Sequence, residues 1–175
     1  IYRFETKNQN TAFNNDITCI TPDRSGKMWV GTFDGVALFD PFTEQFLNFN
    51  HRGIKLDRIT GVVTEIYIDK NQRIWISTKK GLFLVNPITF EIKTLLKGVY
   101  VSGLNECAQG SILIYIGEKG LTLIDTKSLS MRNLPSKLVK KSPVISKIYK
   151  DKKGRVWLGA STNNLFLFSI KEKKE

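Results

Sequence analysis

The side chains able to do chemistry are few, and their spacing suits little of it. The 175 residues hold one histidine and two cysteines. A histidine-based metal or acid–base centre therefore has a single imidazole to draw on, His51. It sits in Asn48-Phe49-Asn50-His51-Arg52-Gly53, a polar stretch that reads as an exposed loop. Cys19 and Cys107 fit no Cys-x-x-Cys pattern and read as buried thiols. Asp23/Gly26, Asp69 and Asp151/Gly154 resemble pieces of a calcium loop. They lack the alternating oxygen ligands such a loop needs and read as Asx-type turns. No Ser-His-Asp order, nucleophile elbow or pair of acids stands out. No catalytic residue, metal ligand or cofactor is expected.

Charge is the stronger signal. Lys and Arg number 27 against 16 Asp and Glu, a formal +11. The basic residues are spread along the chain, with clusters at Lys137-Lys140-Lys141, Lys147-Lys150-Lys152-Lys153-Arg155 and Lys171-Lys173-Lys174. Many alternate along strands and simply face solvent. An excess of this size also favours an anionic partner. No nucleic-acid-binding motif accompanies it.

The elements that must position these residues come from a repeat. Ile17-Thr18-Cys19-Ile20-Thr21-Pro22-Asp23-Arg24-Ser25-Gly26-Lys27-Met28-Trp29-Val30-Gly31-Thr32 returns at Val63–Thr78 and at Ile145–Gly159. A fainter copy puts Cys107 in the Asp slot, Gly110 in the Gly slot and Leu113 in the Trp slot. The anchors fall at 29, 75, 113 and 157. Each copy reads as a β-branched strand, an Asp-x-x-Gly turn and a second strand (Lys27–Thr32, Arg73–Thr78, Ser111–Ile116, Arg155–Ala160). A tight turn follows at Asp34-Gly35, Lys80-Gly81, Lys119-Gly120 or Asn163-Asn164, with Asn164 expected in the glycine slot. The third strand is Val36–Asp40, Leu82–Asn86, Leu121–Asp125 or Leu165–Ser169, and a weaker fourth follows, as at Gln45–Phe49 and Glu91–Leu95.

Four strands per repeat of about 40 to 45 residues predict an all-β fold, a β-propeller of four-stranded antiparallel blades. The chain is expected to hold a partial propeller, three full blades plus two partial ones. Residues 1–14 end a preceding blade, 15–60 and 61–98 form blades, 99–142 a degenerate blade and 143–175 an incomplete one. Trp29, Trp75 and Trp157 recur once per blade at one strand position and are expected to pack between blades. With Asp23, Gly26, Gly31, Asp69, Asp151, Gly154 and Gly159 they make up the structural repeat. The composition excludes a disordered or collagen-like chain. The longest apolar run, Ile112–Ile116, is too short to cross a bilayer, and since the residues from Ile1 do not read as a basic-then-apolar leader, any targeting segment is expected to have been removed or to lie outside this piece.

The pattern I-[ST]-x-I-x-x-D-x-x-G-x-[IMV]-W-[ILV]-G-T, then G-L-[FY]-x-[FV]-[DN]-P, resembles the two-component regulator propeller repeat. The resemblance is strong around Trp29, Trp75 and Trp157 and weak around Leu113. It implies the periplasmic sensor region of a hybrid two-component histidine kinase of the Bacteroides type. By the same resemblance the ligand is an oligosaccharide released from a polysaccharide, and the kinase lies in another domain of the parent protein. The family's ring has more repeats than this chain, so the expected partners are the remaining blades or a second copy, as a homodimer, with no nucleic acid and no membrane contact by this segment. Two other readings stay open: a scaffold for protein–protein interaction without a small ligand, and a lyase or hydrolase. Streptogramin lyases, propellers with similar repeats, use His with a metal, but His51 lies in an unmatched segment.

In propellers one face carries the loops between second and third strands and those joining blades. The candidate binding residues placed there are Phe33, Asp34, Arg52, Arg58, Lys79, Lys80, Lys119 and Asn163. Asn14, Asn15, Lys55, Glu118, Lys140, Lys141 and Thr162 lie in the same loops. An aromatic with charged and amide groups is the usual lining of a sugar site.

Overall fold

The computed structural model describes residues 16–47, 56–108, 110–135, 144–161 and 163–168, without the side chain of residue 57. Among them lie four antiparallel sheets, each with its strands in sequence order. The first holds β1 (Ile17–Pro22), β2 (Met28–Thr32), β3 (Gly35–Asp40) and β4 (Gln45–Phe46). The second holds β5 (Val63–Ile68), β6 (Ile74–Thr78), β7 (Gly81–Val85) and β8 (Ile92–Lys97). The third holds β9 (Val101–Ala108), β10 (Ser111–Ile116), β11 (Gly120–Asp125) and β12 (Met131–Asn133). The fourth holds β13 (Ile145–Lys150), β14 (Val156–Ala160) and β15 (Leu165–Phe168). A four-stranded meander of this kind is the sheet of a propeller blade.

In the first sheet the fourth strand pairs through Phe46, Leu47 N–H still bonds to Leu38 O, and residues 48 and 49 of the expected strand lie outside the described residues. Two details depart from expectation. In the second sheet β8 begins at Ile92 because the Glu91 carbonyl accepts the Asn86 N–H and closes the turn instead. In the fourth sheet it is Asn163, not Asn164, that takes the left-handed conformation, at φ 60°. That turn is one residue longer than in the first sheet: Ala160 N–H bonds to Asn164 O, so the tightest bend falls earlier.

A further feature recurs in the first strands. The register steps from Ile17 to Cys19, from Val63 to Glu65 and from Ile145 to Lys147. Thr18, Thr64 and Ser146 are thus the extra residues of β-bulges, which re-aim a side chain that regular pairing would direct elsewhere.

The chain divides into two compact units, residues 1–101 and 102–175. In the first unit Trp29, Val36 and Leu38 pack with Val63, Ile66, Ile74, Ile76, Phe83 and Val85 of the second sheet. Leu56 and Ile59, at either end of a short 3-10 turn (Leu56–Arg58), close the same cluster. In the second unit Leu113, Tyr115 and Leu121 pack with Ile145, Ile148, Val156 and Leu158 of the fourth sheet. Burying each such side chain stabilises by about 1.5–3 kcal/mol, so the apolar faces of neighbouring sheets hold each unit together.

Candidate functional site

The Asp-x-x-Gly segments are hydrogen-bonded turns, and two of them are tied to the tryptophan of their own sheet. Asp69 is buried. Its Oδ1 accepts the N–H groups of Asn71 at 2.9 Å and Arg73 at 3.0 Å. Its Oδ2 accepts Arg73 Nε at 2.8 Å and the Trp75 indole N–H at 3.0 Å. The Arg73 guanidinium lies 5.5 Å from the Trp75 ring centroid, a cation–π stack. Asp151, Arg155 and Trp157 repeat the arrangement: Oδ2 accepts Arg155 Nε at 2.6 Å and Trp157 Nε1 at 3.0 Å, with the guanidinium 5.1 Å from the ring.

In the first sheet Asp23 Oδ1 accepts the N–H groups of Ser25 at 2.8 Å and Lys27 at 3.1 Å, but the position of the arginine is taken by Lys27. Lys27 pairs instead with Asp40 at 3.7 Å, and the buried Trp29 Nε1 has no hydrogen-bond partner. A point-charge ammonium cannot make the planar fork that presents a carboxylate to the indole. In the third sheet the Cys107 thiol stands in the Asp slot and donates to Ser111 O at 3.6 Å; burial pushes it up from the ordinary thiol range. All four segments are spent on holding turns. Among the described residues no cluster of His, Cys, Asp and Glu has the makings of a metal site.

The candidate ligand residues of the first unit converge on one end of its two sheets. Phe33 N–H bonds to Asp16 O, just before β1, and Lys79 N–H bonds to Val62 O, just before β5. These bonds tie the turn after the second strand to the segment that enters the sheet. Threonines cap both turns from below: Thr32 Oγ1 donates to Gly35 O and accepts Asp34 N–H, and Thr78 Oγ1 does the same for Gly81 and Lys80. The segment joining the sheets crosses between the turns. A Cβ on Gly35 would stand 2.9 Å from Ile59 O, and one on Gly61 would stand 3.0 Å from Lys80 Cγ. Arg58, flanked by buried Leu56 and Ile59, is thereby held at this end with its side chain exposed. Phe33, Asp34, Lys79 and Lys80 are exposed beside it. The result is an aromatic ring, one carboxylate and three cations at the mouth of two adjacent sheets.

In the second unit Lys119 occupies the β10–β11 turn, with its N–H on Ile116 O, and Asn163 the β14–β15 turn; both are exposed. Arg52, with Asn14, Asn15, His51, Lys55, Lys140, Lys141 and Thr162, lies outside the described residues. Sequence reasoning missed the Asp–Arg–Trp ties, although Asp-x(3)-Arg-x-Trp stands at 69–75 and at 151–157. It also missed the threonine caps, which were legible as Thr two residues before a turn's last polar position.

Residues 12–34 match the family model described as two component regulator propeller, a segment that includes β1, β2 and the Phe33–Asp34 turn. Among solved structures, the extracellular domain of the putative hybrid two component system BT4673 from B. thetaiotaomicron is similar at TM-score 0.72 and 22% identity. The match covers 94% of this chain and 22% of that one. The corresponding domain of BT3049 from the same organism gives TM-score 0.52 and 19% identity, covering 94% and 28%. The WD40 β-propeller domain of Doa1 gives TM-score 0.66 and 16% identity, covering 93% and 53%. The chain thus spans about a fifth of the length of the BT4673 domain. No curated protein matches it. At these identities the likeness shows the fold, which is that of β-propeller blades.

Proposed function

We propose that this chain is a non-enzymatic ligand-sensing segment of an extracytoplasmic propeller. In this reading the turn end of the first unit binds an anionic oligosaccharide, and binding is relayed to a histidine kinase carried elsewhere in the parent protein. The observation that carries it is the convergence of Phe33, Asp34, Arg58 and Lys80 on one end of two adjoining sheets, on rigid turns capped by Thr32 and Thr78. An exposed ring gives a sugar a stacking face, and flanking cations and a carboxylate give directional hydrogen bonds. The matches to extracellular domains of two component systems support the extracytoplasmic sensor setting. Among the described residues no helix is long and apolar enough to span a membrane.

The test is thermal-shift screening of the chain against neutral, sulfated and uronic-acid oligosaccharides. A ligand that binds only the folded state raises the melting temperature. An anionic glycan is expected to do so, with the shift lost in Arg58→Ala and Lys80→Ala while both variants melt normally without ligand. A shift that survives both substitutions removes these residues from the site, and turnover of any oligosaccharide overturns the non-enzymatic reading.

A further inference from the structure

A break in the alternation of β8 sets one more cation at the turn end of the first unit. β7 and β8 pair in step from Val85 with Ile92 to Phe83 with Thr94, and then the register shifts, so that Leu82 faces Leu96 and Gly81 faces Lys97. Leu95 is the extra residue of a β-bulge. Residues opposite one another share a face, and a slip of one residue moves every later side chain to the other face. Lys93 is opposite Leu84 and lies on the face of Leu82 and Leu84. Unbroken alternation would put Lys97, four residues on, on that same face. The bulge puts it instead on the face of Phe83 and Val85, which pack with Trp29, Val36 and Leu38 of the first sheet.

The segment joining the two sheets runs on this side as well. Leu56 and Ile59 belong to the same apolar cluster and hold Arg58 between them. Three residues on, Gly61 takes φ 86°, and a Cβ there would stand 3.0 Å from Lys80 Cγ and 3.1 Å from Lys80 Cδ. Its bare backbone leaves room for the Lys80 stem to lie against the segment that carries Arg58. Lys97 arrives from the opposite flank. Gly98 N–H bonds to Lys80 O at 2.8 Å, and a Cβ on Gly81 would run into Leu96 O, so the end of β8 lies tight against the β6–β7 turn. Arg58, Lys80 and Lys97 are thus brought by three separate segments to one side of one end, all exposed. Among the described residues none of the three forms an ion pair. Like charges held close repel, and an anion set among them relieves this.

We infer that Lys97 is a further residue of the ligand site and that with Arg58 and Lys80 it forms a subsite for one oxyanion group, an inference that rests on the reading of this end as the site of an anionic oligosaccharide. Each oxygen of a sulfate ester or a carboxylate accepts more than one hydrogen bond, so several cations can share one group, and bonds of this charged kind are stronger than neutral ones. The bulge at Leu95 is what selects Lys97 for this role and leaves Lys93, on the same strand, out of it.

Titration with sodium sulfate against sodium chloride at matched ionic strength, read by NMR of the lysine side chains, tests the subsite without a sugar. The Lys80 and Lys97 signals are expected to shift together along one binding curve while the Lys93 signal stays in place. Lys97→Met is expected to weaken the sulfate binding read at Lys80 by about two- to fivefold, the worth of an exposed ion pair. Lys93→Met removes the same charge from the other face and is expected to leave that binding unchanged. Both lysines are exposed, so both variants are expected to melt as the wild type does. A Lys97 signal that moves no more than that of Lys93 overturns the inference, and so does equal weakening in the two variants. Repeating the titration with sulfated maltotetraose tells the subsite apart from the site it belongs to. Shifts with sulfate and none with the sugar overturn the oligosaccharide reading and uphold the anion subsite.

Discussion

At the residue scale, one carboxylate position governs the turn and the tryptophan together. Asp69 and Asp151 each accept two backbone N–H groups on one oxygen and an arginine and an indole on the other. The Trp157 indole, then the backbone and side chain of Arg155, hold the Asp151 carboxyl well below the usual carboxylate range; partial desolvation acts against them. A carboxyl whose native pKa is depressed contributes its stability in full above its unfolded value, about 3.9, and loses it as pH falls through the native value. Urea unfolding of the wild type is therefore expected to show stability level between about pH 5 and 7 and falling below about pH 4. Asp151→Asn should lower stability near neutral pH and make the acid limb shallower. An unchanged acid limb would remove Asp151 as a contributor.

At the scale of the element, sheets of one repeat differ in what their glycines face. Gly31 has Cys19 Sγ at 2.6 Å and Val63 Cγ1 at 2.7 Å from the place a Cβ would take, both inside van der Waals contact. Gly159, at the same strand position, has only ordinary contact distances. Gly31→Ala is expected to cost about 1–3 kcal/mol, the usual range for overpacking. Gly159→Ala should stay within about 0.5 kcal/mol of wild type, because no neighbour has to move to admit the methyl group. Chemical denaturation of the two variants side by side measures the contrast, and equal costs would mean that the second sheet does not approach Gly31 as closely as described. The strands themselves were readable in outline from Asp-x-x-Gly, Trp and turn spacing. The bulges at Thr18, Thr64 and Ser146 were not, because a single extra residue leaves alternation nearly intact and shows itself only in which partner lies opposite.

At the scale of the whole molecule, the excess of 27 basic over 16 acidic residues remains the property that the sheets do not account for. Ion pairs do not reduce it, since each joins one cation to one anion; among the described residues they include Lys27 with Asp40, Arg73 with Asp69, Lys150 with Glu106 and Arg155 with Asp151. Exposed cations at Arg58, Lys79, Lys80 and Lys119 add to a field that favours anions. Binding of an anionic oligosaccharide is therefore expected to weaken several-fold between about 50 and 200 mM salt, since the Debye length shortens to about 8 Å at physiological ionic strength. Calorimetric titration at several salt concentrations checks this; affinity indifferent to salt would assign recognition to stacking and neutral hydrogen bonds instead.

The amino-acid sequence alone determined the repeat, its antiparallel strands and the blade type, because strand period and turn chemistry are local and are written in consecutive residues. It also marked the loop ends on which Phe33, Asp34, Lys79 and Lys80 sit. Only the tertiary structure decided that Arg58 is carried between two of those turns by the 3-10 segment, and that buried Trp75 and half-buried Trp157 each bond to an aspartate. Only there do Gly31 and Gly159 part company, one crowded by a neighbouring sheet and one with ordinary contacts. The physical reason is the same in each case. What a side chain can do follows from its type, but whether it is buried, bonded or open depends on which distant strand arrives beside it.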